Sequence, residues 1–346
     1  MATIAIVTSA PPLTEGGHLV IARALERALV EAGHRAGVVT TPSNPFGRQA
    51  SAYLATWLTD VGSTGDGTPV DQVISLRYPG YAVRHPKHVC WLNHTMREYY
   101  DLWERFSGTL SARGRLKERV RRALIRRTDS YLLKRASRVF AQSDTVRGRL
   151  ARWNSVDAEV LYPPPPPRSY RCDGYGDFVL FASRLSPLKR ADLVVRALAE
   201  PAAEEVRCTI AGEGDERPAL EALAAQLGVA DRVTFAGYLS DAALVDALAR
   251  CRAVVFPPVG EDYGFVTVEA FASSKAVITC ADSGGPAELV QDGVNGFVTA
   301  PEPAGLASAI ADLMGSPARA AALGREARAV ADRMAWPDIV RRLVIV

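Results

Sequence analysis

Two glutamates in the second half of the chain have a spacing that could serve a binding site. Glu261 and Glu269 flank the stretch EDYGFVTVE, which follows the apolar run AVVFPP. A strand that ends in prolines and leads into a carboxylate and a glycine is typical of the ligand crevice of a parallel sheet. We expect Glu261 on a loop and Glu269 at the start of the helical stretch EAFASSKAVI. The amides of Gly264, Phe265 and Val266 would lie between them, at a helix N-terminus where unpaired donors suit an anion or a polyhydroxyl ligand. The spacing alone also fits two exposed glutamates at an ordinary turn.

Two cations follow an earlier strand of the same half. Arg184 and Lys189 lie in RLSPLKR, after the apolar stretch DFVLFAS and before a helical pattern. Cations at such a turn are suited to a diphosphate, although exposed cations at a helix start are also common. The stretch AGYLS at 236–240 follows another strand and could offer backbone groups to a planar base.

The first half offers a glycine pair and a histidine. Gly16 and Gly17 separate the apolar strand TIAIVTSA from the helical pattern HLVIARALERALVEAG, where a backbone can approach a phosphate closely. The GxGxxG dinucleotide pattern is absent from this turn. His94 follows the strand HVCWLN, and its residue type alone does not distinguish a ligand contact from an ordinary histidine.

The elements that must position these residues alternate along the chain. The 346 residues, 48% hydrophobic and 23% charged, have the composition of a globular protein of two domains. Strand and helix patterns alternate in both halves, and five prolines at 163–167 interrupt them. We predict an α/β protein with one doubly wound domain at 1–165, a second at 166–325 and a terminal helix at 326–346.

Positive charge is concentrated in one segment. The chain has a formal net charge of +3, but residues 113–138 hold eleven Lys and Arg against two acids, which leaves −6 elsewhere. This segment predicts a basic amphipathic helix with Leu116, Val120, Leu124, Tyr131 and Leu132 at helical spacing. It could be a solvated outer face, or a surface for an anionic membrane or a phosphorylated acceptor. No nucleic-acid module accompanies the charge, so we expect no nucleic-acid partner.

Targeting and cysteine patterns predict a cytoplasmic protein. The opening MATIAIVTSAPP has no basic leader, and no apolar run approaches the roughly 18 residues of a spanning helix. The five cysteines are scattered and form no CxxC pair, which favours neither a disulfide framework nor a zinc site. The basic segment adds the option of a peripheral position at the inner membrane face.

Five segments together resemble a known family. The stretches RLSPLKR, AGEGD, AGYL, VVFPPVGEDYGFVTVEA and DSGGPAELVQDGVNGF resemble the nucleotide-sugar domain of the retaining glycosyltransferases of family 4, whose members carry an E-x7-E motif. The resemblance implies the GT-B fold, with two Rossmann-like domains facing a central cleft. The first half matches more loosely, through the GG loop, WLNHTMREYYDLW and RASRVFAQSDTVRGRL, and AWPDIVRRL is similar to the final helix that crosses back to the first domain.

The resemblance also implies an activity. It predicts a hexosyltransferase that moves a sugar from a nucleoside-diphosphate sugar to a hydroxyl acceptor, with retention and without a metal or cofactor. Arg184 and Lys189 would bind the diphosphate, Glu261 the donor sugar and Glu269 the ribose hydroxyls.

Further contacts with the donor follow from the same resemblance. The amides of Gly264, Phe265 and Val266, together with Gly16 and Gly17, would hold the donor, and His94 would contact its sugar. The base (UDP, GDP or another), the sugar and the acceptor (a glycan, a lipid-linked sugar or a small metabolite) are not specified.

Three other functions compete with this prediction. A non-catalytic sugar-nucleotide-binding protein would keep the same residues without turnover. A Rossmann oxidoreductase would need the GxGxxG pattern that the first turn lacks. A membrane-surface protein built around 113–138 would account for the charge but not for the second half.

Overall fold

The computed structural model describes residues 1–11, 17–43 and 47–346, and of Gly17 and His18 only the backbone. The chain forms two compact units. The first consists of Met1–Pro163 together with Ala335–Val346, and the second of Pro164–Met334. The proline run therefore contains the point where the chain passes from one unit to the other, as expected of residues that cannot donate to a sheet or helix interior.

The first unit is a parallel sheet of six strands in the order β2-β1-β3-β4-β5-β6. Short strands that are buried on both faces, such as β3 and β4, are typical of a parallel sheet covered by helices. Its strands are β1 (Thr3–Ala10), β2 (Arg35–Pro42), β3 (Gln72–Ser75), β4 (His88–Leu92), β5 (Arg138–Ala141) and β6 (Glu159–Val160). Its first helices are α1 (Gly17–Glu31), α2 (Gln49–Leu58), α3 (Trp103–Gly108), α4 (Ala112–Leu133) and α5 (Asp144–Asn154).

The second unit is a parallel sheet of six strands in the order β12-β11-β10-β7-β8-β9, which is the Rossmann order. Its strands are β7 (Phe178–Ala182), β8 (Arg207–Ala211), β9 (Val233–Gly237), β10 (Ala253–Val255), β11 (Val277–Cys280) and β12 (Gly296–Thr299). Its helices are α6 (Ala191–Leu198), α7 (Arg217–Gln226), α8 (Asp241–Arg250), α9 (Phe265–Ala272), α10 (Gly285–Leu289), α11 (Pro303–Gly315) and α12 (Pro317–Asp332). Strand order reverses between β7 and β10, so this is where a doubly wound sheet is expected to bind its ligand.

The last helix, α13 (Trp336–Leu343), belongs to the first unit. The indole of Trp336 lies edge-on to that of Trp91, with ring centroids 6.2 Å apart. The buried amide of Gln72 donates to the carbonyl of Leu343 at 2.7 Å and accepts from the amide of Ile345 at 2.9 Å. These contacts attach the C-terminal segment to the sheet of the first unit.

Helix α9 differs from the sequence prediction. It begins at Phe265 and ends at Ala272, whereas the sequence suggested a helix that begins at Glu269 and continues through AVI. Glu269 therefore lies in the second turn, and Val277 and Ile278 belong to β11.

Helix α4 forms in the segment where the sequence predicts a basic amphipathic helix. Of its five apolar residues at helical spacing, Leu132 is buried, and the other four are exposed: Leu116, Val120, Leu124 and Tyr131.

Candidate functional site

The loops after β7 and β10 bring Lys189 and Glu261 together at the switch point of the second sheet. Lys189 lies in a short 3₁₀ turn, Pro187–Lys189, and its Nζ is 2.5 Å from Oε2 of Glu261. Both side chains are mostly buried, with 15% and 18% of their surface exposed. The Lys189 ammonium also lies over the ring of Phe256, 5.7 Å from its centroid. The site thus presents a cation and a hydrogen-bond acceptor side by side.

Arg190 ties these two loops to each other. Its backbone is left-handed (φ 52°), and its guanidinium donates to the carbonyls of Pro257 at 2.6 Å and Pro258 at 2.7 Å. The same guanidinium binds both carboxylate oxygens of Asp282, at 2.6 and 3.0 Å. Such a bidentate pair fixes geometry as well as charge. Arg190 therefore holds the loop that carries Lys189 against the loop that carries Glu261.

The backbone of Glu261 is fixed by the loop after β11. Its amide donates to the carbonyl of Ser283 at 2.8 Å, and its carbonyl accepts from the amide of Gly285 at 2.9 Å. Gly284 lies between them with φ 70°, and a Cβ there would come within 2.5 Å of the Glu261 carbonyl oxygen. The SGG stretch is thus needed to position Glu261.

Gly264 is the N-cap residue of helix α9 and lies beside Glu261. Its φ of 79° is left-handed, and a Cβ would lie 2.8 Å from the ring of Phe256 and 2.9 Å from Pro286. The next two amides, of Phe265 and Val266, are the first of the helix and find no backbone acceptor within the described part of the chain. The predicted donors therefore lie at a helix N-terminus, where an anion or hydroxyl oxygen is stabilised.

Glu269 is buried and held by the start of the second unit. Only 5% of the residue is exposed. Its Oε1 accepts from Nη1 of Arg168 and, at 3.2 Å, from the hydroxyl of Tyr170. No other partner of this carboxylate is found among the described residues, so Oε2 is the oxygen left for a ligand hydroxyl.

Arg168 also contacts the helix that follows AGYLS. Its Nη2 lies 2.8 Å from Oδ1 of Asp241, the first residue of α8. Arg168 thus connects Glu269 to the segment at 236–240. Sequence reasoning missed Arg168 and Tyr170, because both follow the proline run with no motif and Arg168 lies 101 residues before Glu269.

Arg184 differs from Lys189 in its surroundings. It is exposed, and its guanidinium makes no hydrogen bond or ion pair with the residues that the structure describes. Its backbone is fixed nonetheless, because Leu185 donates to the carbonyl of Glu213 at 2.8 Å and Ser183 to that of Ala211 at 3.0 Å. The stretch AGEGD therefore supports the RLSPLKR loop, and Arg184 is an exposed cation on a backbone held by these hydrogen bonds.

His94, in the first unit, is a neutral imidazole, and its Nε2 has no hydrogen-bond partner among the residues that the structure describes. Its ring is packed among protein atoms although part of the residue reaches solvent, and Nδ1 lies 2.8 Å from the carbonyl of Thr95. Burial, and after it the positive charge of Arg77, lowers the pKa of His94 to about 3. Nδ1 therefore carries the proton and donates, which leaves Nε2 as an acceptor.

Three arginines surround His94. Arg77, Arg97 and Arg149 all act on its pKa, and Arg97 and Arg149 share Oδ2 of Asp101 at 2.7 and 3.0 Å. Two guanidiniums therefore share one carboxylate oxygen close to His94. Arg97 lies in the stretch WLNHTMREYYDLW, whereas Arg77 and Arg149 were not singled out by any sequence pattern.

The glycine pair of the first unit is only partly described. Gly16 lies outside the described residues, and Gly17 is the first residue of α1. Their predicted contact with the donor stays a prediction.

Comparison with known proteins places the second unit in a familiar group. Residues 168–330 match the family described as glycosyl transferases group 1. A D-inositol 3-phosphate glycosyltransferase of Nocardia farcinica is 37% identical over 176 residues, which cover 48% of this chain and 39% of that protein. The chain spans well under two thirds of the length of the curated relatives it matches. The match contains Arg168, Arg184, Lys189, Glu261 and Glu269.

Solved structures extend the likeness to the first unit. Sucrose-phosphate synthase from Thermosynechococcus elongatus superposes with a TM-score of 0.77 at 17% identity, covering 99% of this chain and 97% of that one. Anabaena HepE, solved with UDP and glucose, gives a TM-score of 0.72 at 21% identity and covers 99% of both chains. The predicted GT-B fold of two Rossmann-like units is confirmed by these likenesses and by the two sheets.

Proposed function

We propose that this chain is a group 1 glycosyltransferase that moves a sugar from a nucleoside-diphosphate sugar to a hydroxyl acceptor, with retention and without a metal. The observation that carries this proposal is the Lys189–Glu261 pair at the switch point, 2.5 Å apart. A sugar diphosphate has hydroxyl donors on one side of its anomeric carbon and phosphate oxygens on the other. A carboxylate beside an ammonium is complementary to that pattern.

The protein's contribution to the reaction is mainly electrostatic. As the bond between the anomeric carbon and the phosphate oxygen breaks, its electron pair stays on the diphosphate. Lys189 and Arg184 stabilise the charge that develops there, and this stabilisation is greater in the transition state than in the bound donor. The acceptor oxygen attacks the face that the diphosphate leaves, and its proton passes to the departing phosphate.

The other residues of the site hold the donor. Glu261 accepts from hydroxyls of the sugar, and the amides of Phe265 and Val266 donate to phosphate or sugar oxygens. Glu269, with Oε1 occupied by Arg168 and Tyr170, accepts from the ribose through Oε2. The solved complexes of HepE with UDP and with UDP-glucose make UDP-glucose the first donor to test.

The acceptor carries a negative charge in this proposal. His94 offers a neutral acceptor nitrogen for a sugar hydroxyl, and Arg77, Arg97 and Arg149 offer positive charge around it. Because the curated relatives are named D-inositol 3-phosphate glycosyltransferases, inositol 3-phosphate is the first acceptor to test beside uncharged inositol.

The test combines binding with turnover. The purified chain is screened by thermal shift against UDP-, GDP- and ADP-sugars, and a donor at 100 times its Kd should add about 2.7 kcal/mol of stability. Release of nucleoside diphosphate, with and without acceptor, then separates an enzyme from a protein that only binds sugar nucleotides. Stabilisation without turnover for every acceptor would favour the binding protein, and no stabilisation by any donor would contradict the proposal.

A further inference from the structure

Helix α4 has a stripe of exposed apolar side chains. Leu116, Val120 and Leu124 are four residues apart and share one face, and Tyr131 lies on the same face two turns later. Between 57% and 65% of each residue is exposed. The helix packs on its own unit through other residues, among them Ile125, Leu132 and Leu133. The stripe is therefore not part of the core of the first unit.

Helix α2 extends this apolar surface. Leu54 and Leu58 on α2 are 58% and 63% exposed. A groove of about 700 Å³ lies between α2 and α4, lined by Tyr53, Trp57, Val120 and Leu124 among others. Its volume falls in the range of roughly 300–1,000 Å³ that small-molecule sites occupy. Solvent-exposed apolar side chains that are contiguous with a groove usually mark a binding surface.

The surroundings of the stripe are basic. Both acids of the segment 113–138 are turned inward, because Glu118 is 7% exposed and Asp129 is fully buried. Arg113, Lys117 and Arg127 are exposed and make no ion pair with the residues that the structure describes. The outer face of α4 therefore combines apolar side chains with cations that are not neutralised.

We propose that this surface, the outer faces of α2 and α4, binds the surface of an anionic phospholipid bilayer. Apolar side chains flanked by Lys and Arg insert at the boundary between headgroups and acyl chains, and the cations contact lipid phosphates. The groove beside Trp57 receives part of an acyl chain. This inference concerns attachment and does not depend on the proposed transfer reaction.

Charge favours a bilayer over a second copy of the chain. A symmetric dimer through this surface would bring two cationic faces together, and like charges across an interface are unfavourable. A free phosphate would account for the cations but not for the exposed Leu54, Leu58, Leu116 and Leu124.

Vesicle flotation tests the inference with the full chain. The wild type should float with vesicles of phosphatidylcholine and phosphatidylglycerol, float at least tenfold less with phosphatidylcholine alone, and be released by high salt. Two variants should each bind the anionic vesicles at least tenfold less: Leu116→Ser with Leu124→Ser, and Arg113→Gln with Lys117→Gln and Arg127→Gln. Equal binding to both vesicle types, or to neither, would overturn the inference.

A matched control tests whether the change in net charge alone explains the loss of vesicle binding. The triple variant Arg207→Gln, Arg319→Gln, Arg333→Gln removes three exposed cations from the second unit and should bind as the wild type does. If it loses as much binding as the α4 charge variant, general charge attraction accounts for binding and the surface is not specific.

Two further measurements test whether acyl chains enter the groove and whether a second copy of the chain covers this surface instead. Phosphatidylglycerol with brominated acyl chains should quench the fluorescence of the wild type more than that of Trp57→Phe, because Trp57 lines the groove. Equal quenching in both proteins would argue against acyl chains in the groove. Light scattering without lipid should report a monomer, and a dimer abolished by the Leu116 and Leu124 substitutions would replace the bilayer by a second copy.

Discussion

At the residue scale, the two cations predicted to bind the diphosphate, Lys189 and Arg184, differ in their contacts and exposure. Lys189 is fixed by Glu261 and by the Phe256 ring, whereas Arg184 is exposed and unpaired among the described residues. A cation that is already held in place stabilises the developing charge without moving during the reaction. Such preorganised groups make the largest contribution to electrostatic catalysis. An exposed cation contributes more to capturing the anionic donor. The two residues therefore have separable effects.

We predict that Lys189→Ala lowers kcat by about 10²- to 10³-fold, the usual effect of removing one preorganised donor. Arg184→Ala should mainly raise KM for the donor. Steady-state release of nucleoside diphosphate measures both. The control Arg207→Ala removes an exposed arginine paired with Asp177 and should leave kcat and KM unchanged. Full activity of a Lys189→Ala, Arg184→Ala double variant would refute the assignment of both cations.

Arg168 has a positioning effect that the sequence did not reveal. We predict that Arg168→Ala costs about 3 kcal/mol of stability, because it leaves the buried Glu269 carboxylate without its charged partner. KM for the donor should rise, since Glu269 loses its orientation toward the ribose. Urea unfolding and donor titration measure the two effects.

A double variant separates the effect on donor binding from the effect on protein stability at the Arg168–Glu269 pair. Arg168→Ala with Glu269→Gln removes the unpaired charge and should recover part of the lost stability while KM stays high. Tyr170→Phe should cost about 1 kcal/mol, the usual value of one hydrogen bond. If Arg168→Ala binds donor as the wild type does, Arg168 is only structural.

At the element scale, α4 is anchored by a buried carboxylate. Asp129 accepts hydrogen bonds from the hydroxyls of Tyr53, Tyr81 and Tyr100, with distances of 2.5 Å for Tyr81 and 2.7 Å for Tyr100. Asn154 on α5 donates to the Tyr100 hydroxyl at 3.2 Å. This cluster connects α4 to α2, to the turn at Gly80–Ala82 and to α5. It accounts for the inward orientation of Asp129 in a segment that is otherwise basic.

The pH dependence of the free energy of unfolding should reveal the contribution of Asp129. Burial raises the pKa of Asp129 to about 6, above its ordinary value, although the three tyrosine hydroxyls oppose the rise. The folded chain then binds a proton more readily than the unfolded chain, so this contribution is complete below pH 3.8 and lost as pH rises through 6. We predict that the wild type loses about 2 kcal/mol relative to Asp129→Asn between pH 4 and 7, at about 1.4 kcal/mol per pKa unit.

Two histidines of the same unit act in the opposite direction. Burial lowers the pKa of His88 to about 4 and that of His94 to about 3, so both destabilise the fold as pH falls below 6.5. Comparing the wild type with Asp129→Asn at each pH cancels the histidine contribution. Chemical denaturation from pH 4 to 7 makes the measurement. Parallel stability curves for the two proteins would contradict the prediction.

At the scale of the whole molecule, the proposed roles are divided between two units. Residues proposed for the donor lie mainly in the second unit, and the arginines near His94 and the basic surface of α2 and α4 lie in the first. No helix within the described ranges is long and apolar enough to cross a membrane.

We predict that a bound nucleoside diphosphate slows amide exchange in three loops of the second unit. These are 183–190, 236–241 and 257–269, because their amides and side chains form the proposed donor site. Hydrogen exchange with mass spectrometry, with and without UDP or the diphosphate that gives the largest thermal shift, makes the comparison. The helices α11 and α12 serve as internal controls and should exchange unchanged. Protection restricted to the first unit would contradict the location of the donor site.

Local patterns predicted much of the fold and of the donor site. Continuous apolar runs flanked by turn residues located β1, β7 and β10, because parallel strands buried on both faces leave that signal. The start of α9 was predicted four residues too late. Its first turn, FVTV, consists of residues that favour strands, and the helix begins there because Gly264 adopts a left-handed conformation.

The sequence by itself determined the two-unit α/β plan and the segments that carry Arg184, Lys189, Glu261 and Glu269, since these depend on neighbours along the chain. Only the tertiary structure decided which side chains meet. Glu261 pairs with Lys189 across 72 residues, and Glu269 pairs with Arg168 across 101. It also decided that the apolar stripe of α4 faces outward and Asp129 inward, because burial depends on what packs against a helix and not on its periodicity alone.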